Sequence, residues 1–237
     1  MMFTEFALSS TLVVALALAL PANAAPQHMS KRTTELSLTA QLQLADTAVD
    51  RYKLLSKDED FVYDFTKNRD TPFANRKTFP ALVGYGASMS IAQLPACSMA
   101  FLHLHPRATE LFALNSGRVI TEMVPEGMVL GSDGKQRVIR TELHPGMMTI
   151  FPAGSFHTQV NPDCEPANIT AAFTAEDLGL SLVADETFSL PDDVIARTFG
   201  QSIAGEDIDR VRDAIPGYTL ITVEECLTKC GIKKRQV

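Results

Sequence analysis

The sequence predicts an all-β core, an antiparallel sandwich or barrel, with helices before and after it. From Ser88 to Phe173, short apolar and β-branched runs alternate with turn signals such as Asn115-Ser116-Gly117 and Pro145-Gly146. Closely spaced short strands of this kind are typical of sandwiches and barrels. After about residue 190 the spacing of apolar residues becomes helical, and a weaker helical pattern covers residues 36 to 49.

A chain of 237 residues is long enough for one domain with terminal extensions. We assign residues 1–24 to a signal peptide, 25–60 to an N-terminal extension and helix, 61–190 to the barrel, and 191–237 to a C-terminal helical region. The barrel begins with a predicted strand, "FVYDF", at 61–65. The last predicted helix is "TVEECLTKCG", with a capping box formed by Thr222 and Glu225 and a stop at Gly231.

The N-terminus has the pattern of a secretory signal. An apolar run from about Ala7 to Leu20 is followed by Pro21 and by the small-x-small sequence Ala22-Asn23-Ala24. The run is shorter than the roughly 20 apolar residues that a membrane-spanning helix needs. We therefore predict a protein that is secreted, extracellular or in a cell wall, with no membrane anchor. Lys31-Arg32 is either a propeptide cleavage site or part of an exposed linker.

Charge and cysteine content narrow the function classes further. The formal net charge of −7 and the absence of a basic stripe argue against a nucleic-acid partner. Four cysteines in a secreted chain predict two disulfides, for which three connectivities exist. Asn168-Ile169-Thr170 is an acceptor pattern for N-glycosylation, so Asn168 is a candidate glycosylation site if it is exposed.

Three of the five histidines fall in a pattern that predicts a metal site. His103 and His105 alternate along a strand and point to one face, and the turn at 106–109 returns Glu110 beside them. His157 lies on the strand that leaves the tight turn Pro152-Ala153-Gly154. Three imidazoles and one carboxylate suit a divalent transition metal and differ from the thiolate sets of structural zinc. His144 precedes Pro145-Gly146 and is interpreted as a turn residue.

Two motifs carry a family resemblance. The first runs from His103 and His105 through Glu110 to Gly117, and the second from Gly146 through Pro152-Ala153-Gly154 and His157 to Asn161. They resemble the motifs of cupins, and among cupins those of the germin-like and spherulin-like secreted proteins. The resemblance implies a double-sheet jelly-roll barrel, four ligands that typically hold manganese, and a homo-oligomer, either a trimer or a hexamer.

The chain departs from that pattern in the first motif. Cys97 stands six residues before the first histidine, where the motif usually has glycine. Ala100 stands where germins that oxidise oxalate have asparagine, so one hydrogen-bond donor for oxalate is missing. Strand alternation adds an apolar lining to the predicted pocket, because Met99, Phe101, Phe112 and Leu114 share a face with the ligands. Gln159 shares the face of His157 and is the candidate hydrogen-bond partner for a bound ligand. Such a wall desolvates a small dianion without replacing its hydrogen bonds.

The expected jelly roll also suggests a disulfide. If the strands of His103 and His157 run antiparallel side by side, Cys97 and Cys164 reach the same edge of the sheet. We therefore predict the pair Cys97–Cys164 and leave the pairing of Cys226 and Cys230 open, because positions i and i+4 of a regular helix are poorly aimed for a bridge.

Three functions agree with these features. The resemblance favours a manganese-dependent oxidoreductase that acts on superoxide or another small oxidisable molecule, with superoxide preferred over oxalate because of Ala100. The second is a wall, spore or storage protein in which the metal mainly stabilises the barrel. The third is a tailoring enzyme for an apolar small molecule, suggested by the predicted pocket lining.

Overall fold

The computed structural model describes residues 35–68, 72–216 and 219–232. The predicted signal peptide and Lys31-Arg32 lie outside the described residues. The fold described below belongs to the unit that begins at Leu36. Within the described residues, no helix has the length and apolarity that crossing a bilayer requires.

Helices come first and last in the described chain, and most strands lie between them, as the sequence pattern indicated. The strands are β1 Phe73–Ala74, β2 Ser88–Leu94, β3 Ser98–Ala100, β4 His103–Leu104, β5 Glu110–Ser116, β6 Val119–Val124, β7 Ile139–Leu143, β8 Met148–Phe151, β9 Phe156–Asn161, β10 Ala167–Phe173, β11 Ser181–Leu182 and β12 Leu220–Thr222. The helices are α1 Leu38–Leu44, α2 Ala48–Leu54, α3 Val183–Phe188, α4 Asp192–Thr198, α5 Glu206–Ala214 and α6 Glu224–Cys230. Short 3-10 turns occupy Asp58–Phe61 and Pro80–Leu82.

The strands form two antiparallel sheets. The first has the order β1-β2-β10-β5-β8. In the second, β3 and β4 follow one another along one side of β9, β6 and β7 lie on the other side, and β11 and β12 pair with β4 and β3. This arrangement confirms the predicted all-β core and jelly roll.

The main core lies between the two sheets and comes from the inward faces of their strands. Burial alternates along β5 and β6, so that Phe112, Leu114 and Val119 are buried while their neighbours are more exposed. Phe151 and Phe173 complete the core on β8 and β10. Each fully buried side chain of this size stabilises the fold by about 1.5–3 kcal/mol relative to exposure, so the packed sheets fix the positions of the polar residues between them.

The N-terminal segment differs from the prediction in two places. The helical pattern at 36–49 gives two short helices, α1 and α2, because Ser37 and Thr47 each accept a backbone hydrogen bond and cap a separate helix. The predicted strand at 61–65 is wrong, because Phe61 ends a 3-10 turn whose acidic first residues favour a helical start.

The C-terminal region is helical except for one strand. Helices α4 and α5 are confirmed, and Gly231 ends α6 in the left-handed conformation with φ of 63°. The predicted capping box is wrong, because Thr222 belongs to β12 and pairs with Ser98 of β3. The pairing brings α6 to the edge of the second sheet.

The disulfides are Cys97–Cys226 and Cys164–Cys230, so the predicted pair Cys97–Cys164 is wrong. The two strand ends do meet, since the Cys97 amide donates to the Asp163 carbonyl at 3.0 Å. However, α6 lies across this edge, and its two cysteines are one helical turn apart. Cys226 therefore bonds to Cys97, and Cys230 bonds to Cys164. Cys97 has φ of 52°, the left-handed conformation that favours glycine, which is the residue the motif usually has there.

Candidate metal centre

The four predicted ligands come together between the sheets. His103 begins β4 and stands directly opposite His157 of β9, while Glu110 begins β5 in the other sheet. His105 follows β4, just before the turn that leads to Glu110. One ligand atom from each of the four residues lies within 4.8 Å of those of the other three, and all four side chains are buried.

Backbone carbonyls hold each imidazole in one orientation. Nδ1 of His103 lies 2.7 Å from the Phe101 carbonyl, and Nδ1 of His157 lies 2.9 Å from the Ser155 carbonyl. Nδ1 of His105 lies 2.7 Å from the Gly179 carbonyl. A carbonyl only accepts, so each Nδ1 carries the proton, and the neutral imidazole keeps its lone pair on Nε2.

The lone pairs converge on Glu110. Nε2 of His105 and Nε2 of His157 each lie 3.1 Å from the same carboxylate oxygen, Oε2. Burial alone would raise the pKa of Glu110, but hydrogen bonds from the two imidazoles, which form when a proton and not a metal ion occupies Nε2, outweigh it and lower the pKa to about 2. Burial, together with the neighbouring His157, lowers the pKa of His103 to about 4. At neutral pH the set is therefore one carboxylate with an uncharged His103 beside it.

This donor set fits a divalent transition metal. Unprotonated Nε2 atoms and a carboxylate oxygen are electron-pair donors, and they face one another across a space that only a cation or protons make favourable. The orienting carbonyls are the kind of outer contact that metal-bound histidines almost always have. Two aromatic rings support the same imidazoles, with Phe151 stacked on His157 at 4.2 Å and Phe173 edge-on to His105 at 4.9 Å between ring centroids.

A pocket of about 200 Å³ opens beside His103, His105 and Glu110. Of the predicted lining residues, Phe101, Phe112 and Gln159 line it, whereas Met99 and Leu114 do not. Leu114 is buried in the main core, and Met99 is only partly buried.

The error at Met99 has a structural cause. The chain leaves strand geometry at Phe101-Leu102, between β3 and β4, so Ala100 and Phe101 both face inward and the alternation shifts by one residue. Ala100 therefore lines the pocket at the position that strand alternation had assigned to Met99.

Several site residues were missed by the sequence analysis. Ser90 of β2 and Ile169 and Ala171 of β10 line the pocket from the first sheet. Their signal was available, since alternation along β2 and β10 marks one face as buried, but nothing in the sequence indicated which face meets the ligands. The Gly179 carbonyl had no signal, because every residue carries a carbonyl.

Asn168 lies away from the pocket, on the outward face of β10. Its side chain is exposed and its amide donates to Ser116 Oγ at 2.7 Å. Exposure is the condition for glycosylation that the sequence set, and glycosylation of Asn168 stays a prediction.

Two sheets packed as a barrel around three histidines and one glutamate define a class, the jelly-roll proteins with an internal metal-ligand set. The chain belongs to the cupin family, whose profile, described as Cupin, matches residues 56–207. Within that family it is germin-like and spherulin-like. It is 32% identical to Spherulin-1B of Physarum polycephalum over 234 residues, which cover 95% of this chain and 91% of the relative.

Two further comparisons agree with this placement. Germin-like protein subfamily 2 member 3 of Arabidopsis thaliana is 30% identical over 147 residues, 60% of this chain and 63% of that protein. A solved structure of recombinant oxalate oxidase in complex with glycolate aligns with a TM-score of 0.56 and 20% identity, over 68% of this chain and 83% of the other. At that identity the likeness is evidence for the fold alone.

Proposed function

We propose that the protein is a secreted germin-like cupin whose three histidines and Glu110 hold manganese, and that it acts as an oxidoreductase on superoxide or a small oxidisable molecule. The observation that carries the proposal is the convergence of carbonyl-oriented imidazoles on one buried carboxylate beside a pocket. The two disulfides support secretion, because disulfides persist in oxidising compartments.

The residues around the ligands favour electron transfer over acid–base chemistry. Manganese, when bound, would supply one-electron redox chemistry. The aromatic and aliphatic walls exclude bulk water, and the carbonyl contacts keep the imidazole protons on Nδ1, away from the pocket. Apart from His103, His105 and Glu110, no Asp, Glu, His, Lys or Arg among the described residues lines the pocket, so no positioned general base is available there.

Oxalate fits this pocket poorly. Ala100 faces the cavity at the position where oxalate-oxidising germins have asparagine, and the described lining contains no Lys or Arg. A dianion entering such a pocket would lose hydration without regaining hydrogen bonds. Superoxide needs no shaped site, which is why we place it ahead of oxalate.

Superoxide consumption by the manganese-loaded protein tests this function. We expect His103→Ala to abolish the activity while circular dichroism remains native, because the variant removes one electron-pair donor. His144→Ala is the matched control, since His144 is exposed, pairs with Glu142 and lies outside the site. Equal activity of the two variants, or no activity in the loaded wild type, would refute the action on superoxide.

A second candidate is a protein in which the metal only stabilises the barrel. It is favoured by the position of the ligands, since Glu110 belongs to the first sheet and His103 and His157 to the second, so that a bound ion would join the two sheets. Removal of the metal would then lower the melting temperature. A metal-loaded protein that is stabilised and inert towards both superoxide and peroxide would establish this role.

A further inference from the structure

We propose that the pocket beside the ligand set binds a small uncharged molecule of about one ring with a single hydrogen-bonding group, and that Ser90 and Gln159 recognise that group. The inference deepens the proposed function, because it names the ligand class for the same site. It depends on the shape, charge and unpaired polar groups of the pocket, all of which are properties of the chain itself.

Ser90 and Gln159 are exceptions to the way the protein treats its buried polar side chains. Every other buried polar or charged side chain in the described ranges has a hydrogen-bond partner, from Thr121, which meets Thr141 at 2.7 Å, to Asn161, which donates to three carbonyls. Ser90 and Gln159 are only 3% and 4% exposed, yet neither side chain bonds to any group in the described part of the chain. Among the described residues, Arg51 Nε is the one fully enclosed side-chain polar atom without a partner. The polar atoms of Ser90 and Gln159 therefore open onto the pocket, where an entering molecule can pair with them.

The two residues occupy corresponding positions on opposite walls. Gln159 lies two residues beyond His157 on β9. Ser90 pairs with Ala171, which in turn pairs with Phe112, and Phe112 lies two residues beyond Glu110 on β5. Both line the same cavity as the ligands. A group held by them would therefore sit beside the metal-ligand set.

The rest of the wall is mainly apolar, with Gln93 and Thr219 as further uncharged polar residues, and it sets the size of the ligand. Six of its residues are Ala100, Phe101, Phe112, Ile169, Ala171 and Phe173. An apolar cavity of about 150 Å³ holds one benzene molecule, and this pocket has about 200 Å³. One ring with one small substituent fills such a space.

Outside the metal-ligand set, the pocket offers no charged side chain to a ligand. No other Asp or Glu, and no Lys or Arg, lines it among the described residues. A charged group on the ligand would lose hydration there without a side chain to pair with. Serine and glutamine both donate and accept, so they match a hydroxyl or carbonyl group. Phenol and benzyl alcohol represent the class.

Binding of phenol to the manganese-loaded full protein, measured by ligand-observed NMR with toluene as the comparison, tests the inference. Toluene has the same ring as phenol and no hydrogen-bonding group. In Ser90→Ala/Gln159→Leu we expect phenol affinity to fall roughly tenfold, as the loss of a hydrogen bond implies, and toluene binding to be unchanged. Gln136→Leu is the control, because Gln136 bonds to carbonyls of the β6–β7 connection, away from the pocket.

Two results would overturn the inference: no phenol binding, or phenol affinity equal in wild type and the double variant. If the double variant does not fold, Ser90→Ala alone, which removes one oxygen atom, serves in its place. The measurement reads binding without turnover. A protein that binds phenol but does not consume superoxide would refute only the proposed action on superoxide, and the reverse result would refute only this inference.

Discussion

At the scale of single residues, three backbone carbonyls determine what the histidines can do. Two of them are local, since His103 and His157 each bond to the carbonyl two residues earlier in the chain. The third is remote, because His105 depends on Gly179, 74 residues away. The lone pair of His105 is thus directed by the segment that precedes β11.

We expect Gly179→Ala to weaken metal binding roughly tenfold, the lower end of what outer contacts to metal-bound histidines contribute. Gly179 has φ of 69°, and an added Cβ would lie 2.8 Å from Pro106 Cγ, so the carbonyl must shift. A competitive metal titration measures the change. Gly134→Ala is the control, since Gly134 has a similar φ of 74° with no atom near its Cβ position. Equal affinities in the two variants would contradict the role of the Gly179 carbonyl.

The ligands could be predicted from sequence because strand alternation and one short turn fix their direction. The two-residue period of a strand was enough to place His103 and His105 on one face, and the short turn after His105 was enough to bring Glu110 beside them. Met99 was misplaced because the same period was carried through the break at Phe101-Leu102, which no turn residue marks. Local geometry is readable from sequence as long as the strand is continuous.

At the scale of elements, β12 and α6 complete the edge of the second sheet. β12 is three residues long and pairs with β3, and α6 follows it directly. A strand of three residues gives no recognisable alternation, so the sequence indicated helices here and did not show where they pack. The disulfide prediction failed for that reason, although Cys97 and Cys164 do lie at one edge.

Trypsin digestion without reduction tests this edge. Lys229 separates Cys226 from Cys230, so the two α6 cysteines fall on different peptides. We expect the Cys97 peptide to be linked to that of Cys226 and the Cys164 peptide to that of Cys230, because α6 lies across the edge between them. Recovery of a Cys97–Cys164 linked peptide would contradict the position of α6. Reduced and alkylated protein provides the control.

At the scale of the whole molecule, part of the outward face of the first sheet is apolar, and the polar Asn168 lies on the same face beyond it. Met89, Ile91, Leu111, Met148 and Ile150 are 37–57% exposed and lie on three strands, β2, β5 and β8, with β10 between β2 and β5. Met89 pairs with Ala172, Ala172 with Leu111, and Leu111 with Ile150, so these residues form one row across the sheet. Monomeric soluble proteins rarely expose a large contiguous apolar patch. The homo-oligomer stays a prediction, and we expect a second copy of the chain to cover this patch.

We expect Ile91→Lys/Met148→Lys to convert the wild-type oligomer to monomers, because two buried ammonium groups would oppose contact between copies. Light scattering coupled to size-exclusion chromatography gives the mass. Met128→Lys is the control, since Met128 is 86% exposed and lies in the β6–β7 connection. An unchanged oligomer in the double variant, or a monomeric wild type, would contradict this contact.

Metal content tests the His–Glu site most directly. Wild-type protein and His144→Ala, expressed in manganese-supplemented medium and dialysed, should each retain about one divalent ion per chain by elemental analysis. His157→Ala should lose the ion and keep its fold, because it removes the donor that faces both His103 and Glu110. Wild-type protein without metal, or His157→Ala with the wild-type metal content, would contradict the site.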